Sequence, residues 1–341
     1  MNSNLEISII VPAYNAEKTI EQCLKKICEE SKNFNPEIIV IDDNSTDKTR
    51  TIVEKFKNIK LIKIEENKGV GHARNLGAKS AKNKILCYID SDLIISKNSI
   101  EILVKRLQKD QNTGSVGAIP EVHNLNTKSW TSNFVCLKSC YGFENIKNET
   151  SVTDVQSEFC VMFKEFLNEV GGWKSFRKAG GEEYDLGHKM LRANKKNIKI
   201  KEASYKTYWA SLYLRFKKVI DRTEKYIYVL MNSKKFDSPG SFATSEQALS
   251  VLGTSLIFLF LFLALFLNKS IVILGLLLSL FFQIIFEYRF LIFSKKYFGN
   301  KMLFFSLFGI QILNIGIIVG TLYFFLNNLK IIFKKKIIKY T

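Results

Sequence analysis

The sequence predicts an α/β domain, with a mostly parallel central sheet flanked by helices, followed by an all-α membrane region. Three observations carry this. Short apolar runs alternate with helix-patterned segments from Ile7 to Gln108, the pattern of parallel strands joined by crossover helices. Three of those runs end in polar clusters, and ligands of such sheets sit at the carboxyl ends of strands. After residue 247 come three long runs without a charge.

The elements follow in order. Ile7–Val11 is a strand stopped by Pro12, and Glu17–Ile27 repeats Ile20, Leu24 and Ile27 at helical spacing. Glu37–Ile41 is a second buried strand, followed by Asp42-Asp43-Asn44-Ser45-Thr46-Asp47. Ser45 or Thr46 can cap the helix Lys48–Phe56. Ile59–Ile64 is a third strand, Gly69–Lys82 a loop running into a helix, and Lys84–Ile89 a fourth strand ending at Asp90-Ser91-Asp92. Ser99–Gln108 is another helix. Tyr205–Lys235 interleaves Tyr208, Leu212, Phe216, Val219 and Ile220 with Arg215, Lys217, Lys218 and Arg222. That pattern predicts a basic amphipathic helix on a bilayer interface, with Ser238-Pro239-Gly240-Ser241 turning into the first span.

The uncharged runs are 248–267, 270–286 and 302–329, separated by Asn268-Lys269 and by a polar, basic loop from Glu287 to Lys301. Twenty apolar residues cross a hydrocarbon core of ~30 Å. These runs are apolar on all sides and leave no face for water. Three crossings from the cytosol would put the basic tail 334–341 outside, against the positive-inside rule. The domains expected are therefore 1–204, α/β; 205–247, interfacial helix and linker; 248–333, transmembrane; and 334–341, basic tail.

Composition narrows the class. Among 341 residues, 47% are hydrophobic and 24% charged, with 18 Gly and 4 Pro. This excludes a collagen, a disulfide miniprotein and a wholly disordered chain. Net charge is +18, and residues 249–341 hold ten basic side chains and one acid, Glu287. Positive charge beside the densest apolar sequence points to membrane lipids, not nucleic acid. Cys23, Cys28, Cys87, Cys136, Cys140 and Cys160 form no C-x-x-C pair and read as small buried residues in a reducing cytosol. The N-terminal apolar run stops after five residues without a basic leader, so the α/β domain is expected in the cytosol.

Asp90-Ser91-Asp92 is the strongest local signal. Residues i and i+2 of an extended chain point the same way, and a divalent cation relieves the repulsion of two carboxylates sharing a site. Oxygen-only ligands favour Mg2+ or Mn2+ over zinc. Asp42 and Asp43, ending the neighbouring strand, read as helix-capping residues or as acceptors for a nucleobase or ribose. Gly69-Val70-Gly71-His72-Ala73-Arg74 has Arg74 where a dinucleotide fingerprint needs its third glycine. A guanidinium there suits phosphate oxygens. Gly180-Gly181-Glu182-Glu183-Tyr184-Asp185 is a glycine turn leading three acids into a helix. The acids complement the helix dipole, or one of them is a general base.

Together, ISIIVPAYNAEKTIEQCL, EIIVIDDNSTDKT, ENKGVGHARNLGAKSA, ILCYIDSDLIIS and GGWKSFRKAGGEEYDLGHKMLRA resemble family 2 glycosyltransferases with the GT-A fold, over about residues 5–195 and in the same order and spacing. The resemblance implies a nucleoside-diphosphate sugar donor, inversion at the anomeric carbon and a divalent cation, Mg2+ or Mn2+. It assigns Pro12, Ala13, Tyr14, Asn15, Glu17, Asp42, Asp43, Arg74, Asp90 and Ser91 to the nucleotide sugar, and Asp90 and Asp92 to the metal. Gly171, Gly172, Trp173 and Gly181 fall on the acceptor side, and Glu183, with Glu182 and Asp185 beside it, on the base. The base position holds Glu where the family more often has Asp, Tyr208-Trp209 stand where a metal-binding His often follows the last strand, and no Q-x-x-R-W sequence of processive synthases occurs. The expected protein is a membrane-anchored transferase with a lipid-linked or polyprenyl-phosphate acceptor. The alternatives are a membrane protein that binds nucleotide sugar without catalysis, and a transporter, which the spans' lack of a charged relay disfavours.

Overall fold

A computed structural model of the chain describes residues 6–125, 129–144, 146–176, 180–233 and 245–334. They fall into two compact units. One holds 6–125 with 142–208, and the other holds 129–141, 209–233 and 245–334, within those ranges. The basic tail 335–341 and the turn at 238–241 lie outside the described residues.

The first unit is the α/β domain. Strands β1 (Ile7–Ala13), β2 (Glu37–Asp42), β3 (Ile59–Lys63) and β4 (Ile85–Ile89) alternate with helices α1 (Ile20–Glu30), α2 (Thr49–Val53) and α3 (Val70–Ser80). β5 (Leu93–Ile95), α4 (Ser99–Gln108) and β6 (Thr113–Asn124) follow. After α5 (Trp130–Glu144) come β7 (Glu149–Val152), β8 (Phe159–Phe163), α6 (Lys164–Glu169), α7 (Glu182–Arg192) and β9 (Lys196–Thr207). The sheet runs β3-β2-β1-β4-β8-β6-β9-β5, with β7 on β9. β1 to β4 are parallel and in the order 3-2-1-4, so the chain reverses direction across the sheet at β1, where open α/β sheets bind ligands. β8 joins β4 antiparallel.

Helices cover both faces because each strand is apolar on both. Ile9, Val11, Val40, Cys87 and Ile89 pack with Ile20, Leu24 and Ile27 of α1 and Leu103 of α4. Ile10, Ile39, Leu86 and Tyr88 pack with Ala73 of α3 and with Leu186 and Met190 of α7. The six cysteines form no disulfide, and five of them are buried. β9 ends at Thr207 rather than at the expected boundary of 204, and its Tyr205 is fully buried in the first core layer.

The second unit is helical. α8 (Leu212–Ser233), α9 (Ser245–Leu263) and α10 (Lys269–Lys334) join the first part of α5. α9 and α10 are each long and apolar enough to cross a membrane. The loop expected at Glu287–Lys301 is instead helix almost throughout, broken at Gly299, where φ is 78°. Its polarity is absorbed: Glu287 takes two hydrogen bonds from the Lys138 ammonium, at 2.8 and 2.9 Å, and Lys138 lies 4.5 Å over the Phe290 ring. Gln311 hydrogen-bonds Gln283 across the break. Twenty-eight residues of straight helix would hold them about 42 Å apart, so the two limbs of α10 fold back on each other. Thr254 of α9 bonds both glutamines, and Asn314 bonds Ser250 and Thr254 at 2.9 Å. Buried amides and hydroxyls thus join three apolar limbs, the way polar residues fix helix pairs in lipid. The apolar stripe of α8 packs on α10, where Gly316 leaves room for Phe216 and Val219, and Gly320 for Ile220 and Thr223.

Lys138 comes from the stretch between β6 and β7, so the helical unit is built from two separate parts of the sequence. Its ion pair with Glu287 is nearly buried, at 13% and 6% side-chain exposure. Lys138→Leu leaves a lone buried carboxylate and is expected to cost about 3–5 kcal/mol, read as a lower thermal midpoint in detergent. The swap of Lys138→Glu with Glu287→Lys should recover part of that loss.

Candidate active site

The carboxyl edge of β1, β2 and β4 brings together three of the clusters expected from the sequence. Tyr14 is 51% exposed, and Asn15 takes the left-handed conformation at φ 49° that carries the chain off β1. The neighbouring loop is stitched to this turn. Asn15 N–H donates to Ser45 Oγ at 3.0 Å and its Oδ1 accepts from Thr46 N–H at 2.8 Å, while Glu17 N–H donates to Asp47 at 3.0 Å. Pro12 and Ala13, at the end of β1, are buried beneath it.

Asp42 and Asp43 are both buried, and both anchor loops. Asp42 accepts from Ser45 N–H at 3.3 Å and from Arg50 Nε. Asp43 accepts from Lys68 and Gly69 N–H, each at 2.9 Å, holding the loop that opens α3. Both carboxylates thus hold loops; α2 and α3 begin at Lys48 and Gly69 without a side-chain cap, so neither Asp42 and Asp43 nor Ser45 and Thr46 cap a helix as expected.

Arg74 is the hub. It is 1% exposed, a severe cost for a cation unless it is paired. It donates to Asp90 Oδ1 at 2.8 Å, and Glu182 Oε1 lies 3.7 Å from its Nη1. Its guanidinium sits over the Trp173 ring at 4.8 Å. Trp173, assigned to the acceptor side, is itself only 2% exposed, so its ring serves as a platform for Arg74. Asn75 clamps the backbone of Trp173, with bonds of 2.9 Å to its N–H and 2.7 Å to its carbonyl. Gly71 is required here, because a Cβ would sit 2.3 Å from Lys174 O.

Burial pushes the Asp90 carboxyl up to about 7; Arg74 opposes this, and Asp92 and Glu158 reinforce it. The side chain keeps 26% of its surface, so solvent or a cation can reach it. Asp92 follows two residues on and is half-buried, with Ser91 between. Among the described residues no third His, Cys, Asp or Glu completes a protein cage. Two hard carboxylates fit Mg2+ or Mn2+, which commonly take one or two carboxylates and fill the remaining positions with water and substrate phosphate.

The glycine turn before α7 has φ 133° at Gly180 and 90° at Gly181. Glu182 Oε2 caps Gly180 N–H at 2.6 Å, and Glu183 Oε2 accepts from Gly181 N–H at 3.1 Å. Asp185 pairs with Lys189 at 2.8 Å. Glu182 is buried against Arg74, and Glu183 is half-buried. Gly171 and Gly172, at φ 79° and 75°, turn the chain after α6, and Gly172 O accepts from Lys189 at 3.3 Å. A concavity of about 410 Å³ beside these glycines, lined also by Asn75, Lys79 and Lys164, contains none of the carboxylates above.

Sequence reading missed Asn75, Arg50 and Glu158. Asn75 stands one residue after Arg74, and Arg50 eight after Asp42, but neither spacing signals its contact without the fold.

Known proteins resemble this chain. Residues 8–171 match the model of Glycosyl transferase family 2. A stretch of 107 residues is 34% identical to glycosyltransferase GlyG of Streptococcus pneumoniae serotype 4, covering 30% of this chain and 35% of that protein. Another of 120 residues is 34% identical to the UDP-Glc:alpha-D-GlcNAc-diphosphoundecaprenol beta-1,3-glucosyltransferase WfgD of Escherichia coli, covering 35% and 47%. The chain therefore spans less than half the length of either relative. The mannosyltransferase PcManGT from Pyrobaculum calidifontis, solved with GDP-Man and Mn2+, shares the fold at a TM-score of 0.56 and 16% identity, over 94% of this chain and 87% of that one. With the motifs in family order on a GT-A fold, residues 8–171 of the chain match the family 2 glycosyltransferases.

Proposed function

We propose that this chain is a membrane-anchored inverting glycosyltransferase. It moves a sugar from a nucleoside-diphosphate sugar to a hydroxyl or phosphate acceptor carried on a lipid. The observation that carries the reading is the line Asp90–Arg74–Glu182, with half-buried Glu183 at the start of the same helix as Glu182. Tyr14 and Asn15 flank the nucleotide, and Asp42 and Asp43 shape the loops around its base. Arg74 holds Asp90 in place and presents positive charge to the leaving diphosphate. When bound, a divalent cation on Asp92 and Asp90 would neutralise further charge there. Glu183 takes the acceptor's proton as its oxygen attacks the anomeric carbon from the face opposite the diphosphate. WfgD's name couples a UDP-sugar donor to a diphosphoundecaprenol acceptor, and the apolar helices α9 and α10 support an acceptor of that class. Residues 1–207 would carry the catalysis on the cytoplasmic side of the cell membrane, 208–247 would lie at the interface, and 248–333 would span.

Two measurements test this. The protein should stay in the membrane pellet after alkaline carbonate; release into the supernatant would remove the anchor. Purified protein should transfer sugar from one of a panel of UDP- and GDP-sugars with Mn2+ and lose turnover in excess EDTA. Asp92→Asn should raise the Mn2+ concentration needed roughly 10- to 100-fold, the usual size for loss of one partner at a metal site. Unchanged Mn2+ dependence in that variant, or full activity in EDTA, would remove the metal role.

A further inference from the structure

Glu158 stands directly before β8, opposite Asp90: the Asp90 N–H donates to the Glu158 carbonyl at 2.9 Å. The next pair along the ladder is Ile89 with Phe159, both in one core layer, and then Tyr88 with Cys160, both in the other. Opposed residues of an antiparallel pair share a face, and faces alternate along the strand. Asp90 and Glu158 therefore stand side by side where this ladder ends, with Arg74, and Glu182 behind it, against Asp90.

The two oxygens of Glu158 differ. Oε2 is held by the Tyr205 hydroxyl and by the Gln156 amide at 3.2 Å, and Gln156 also donates to Tyr205 Oη at 2.8 Å. Tyr205 and Gln156 are buried, at 0% and 8% exposure. Oε1 accepts no hydrogen bond and meets no cation among the described residues. Glu158 itself is only partly buried. It is a carboxylate oriented by neutral donors, with one oxygen left over, next to the residue that contacts Arg74. A sugar hydroxyl supplies the donor that such an oxygen lacks.

Resting on the reading of this site as one for a nucleoside-diphosphate sugar, we propose that Glu158 Oε1 accepts a hydroxyl of the sugar being transferred. Glu158 is then a specificity residue of the donor, positioned by Tyr205 and Gln156. Asp90, Asp92 and Arg74 serve the diphosphate, and the sugar bonded to it meets the next polar group along the same edge. A donor lacking that hydroxyl would leave the oxygen unpaired, the arrangement by which sites reject deoxy analogues most strongly.

The test compares diphosphate with sugar nucleotide. Affinities of UDP, UDP-glucose, UDP-N-acetylglucosamine, GDP and GDP-mannose are measured calorimetrically with Mn2+ on the full chain in detergent, for wild type, Glu158→Gln and Tyr205→Phe. The wild type should prefer one sugar nucleotide over its own diphosphate. In Glu158→Gln the diphosphate should bind within about twofold of wild type, and the sugar nucleotide should weaken roughly tenfold, the size of one charge-assisted hydrogen bond. Tyr205→Phe frees the carboxylate without removing it and should give a smaller loss in the same direction. It carries the comparison if Glu158→Gln does not fold. Equal weakening of diphosphate and sugar nucleotide would overturn the assignment in favour of a role at the phosphates. Unchanged donor affinity with a raised acceptor KM or a lost kcat would move Glu158 to the acceptor or to the base. If no diphosphate binds wild type, the parent reading of the site falls; if diphosphates bind and the variants match wild type throughout, only the role of Glu158 falls.

Discussion

Glu183→Gln is expected to lower turnover by roughly 10²-fold or more, the usual contribution of a general base, with donor affinity nearly unchanged. The structure separates the three acids of this turn by what they touch. Glu182 is buried, capping Gly180 and facing Arg74 at 3.7 Å. Asp185 is engaged by Lys189 one helical turn on. Glu183 is half-buried and takes a 3.1 Å bond from Gly181 N–H. Glutamine keeps that shape and that acceptor but cannot take a proton, so the loss should fall on kcat and not on the donor's Kd. Glu183→Asp, one methylene shorter, should keep part of the activity. If Glu183→Gln turns over normally and Asp185→Asn is dead, the base has been assigned to the wrong carboxylate.

The parallel half of the sheet was legible because each strand is an apolar run ended by a turn signal. Ile7–Ala13, Glu37–Asp42, Ile59–Lys63 and Ile85–Ile89 fall where periodicity puts them. The second half was not legible. Phe159–Phe163 is five apolar residues that run straight into the helix Lys164–Glu169, and periodicity alone cannot tell a short buried strand from a helix. β9 depends on pairing with β6 and β7, contacts distant in sequence. Asp90, Asp92 and Glu183 stand out as candidates because motifs mark them, whereas Glu158 becomes a candidate only through a strand pairing. The segment Glu287–Lys301 misled for a related reason. A charge normally ends an apolar helix, but Glu287 is neutralised by Lys138, a residue 149 positions away.

Arg74→Met should cost both fold and function. Arg74 is almost wholly buried, bound to Asp90 at 2.8 Å and flanked by Glu182. Methionine roughly replaces the aliphatic stem but leaves two carboxylates facing each other without a cation. Removing one partner of a buried pair costs about 3–5 kcal/mol. For a domain of this size each kcal/mol moves the thermal midpoint by about 2–4 °C, so a fall of roughly 10 °C is expected in metal-free buffer. Mn2+ with the diphosphate should restore part of it, because the added positive charge meets the same carboxylates and ligand binding stabilises by mass action. Arg74→Lys keeps the charge but loses the planar contact with Trp173 at 4.8 Å and the forked donors. Its midpoint should lie between those of wild type and Arg74→Met, with turnover still well below wild type. Glu182→Gln in the Arg74→Met background separates the causes. If like-charge repulsion drives the instability, the second change relieves it and the midpoint rises. If the midpoint stays where Arg74→Met leaves it, the loss comes from packing against Trp173 and not from the uncompensated pair.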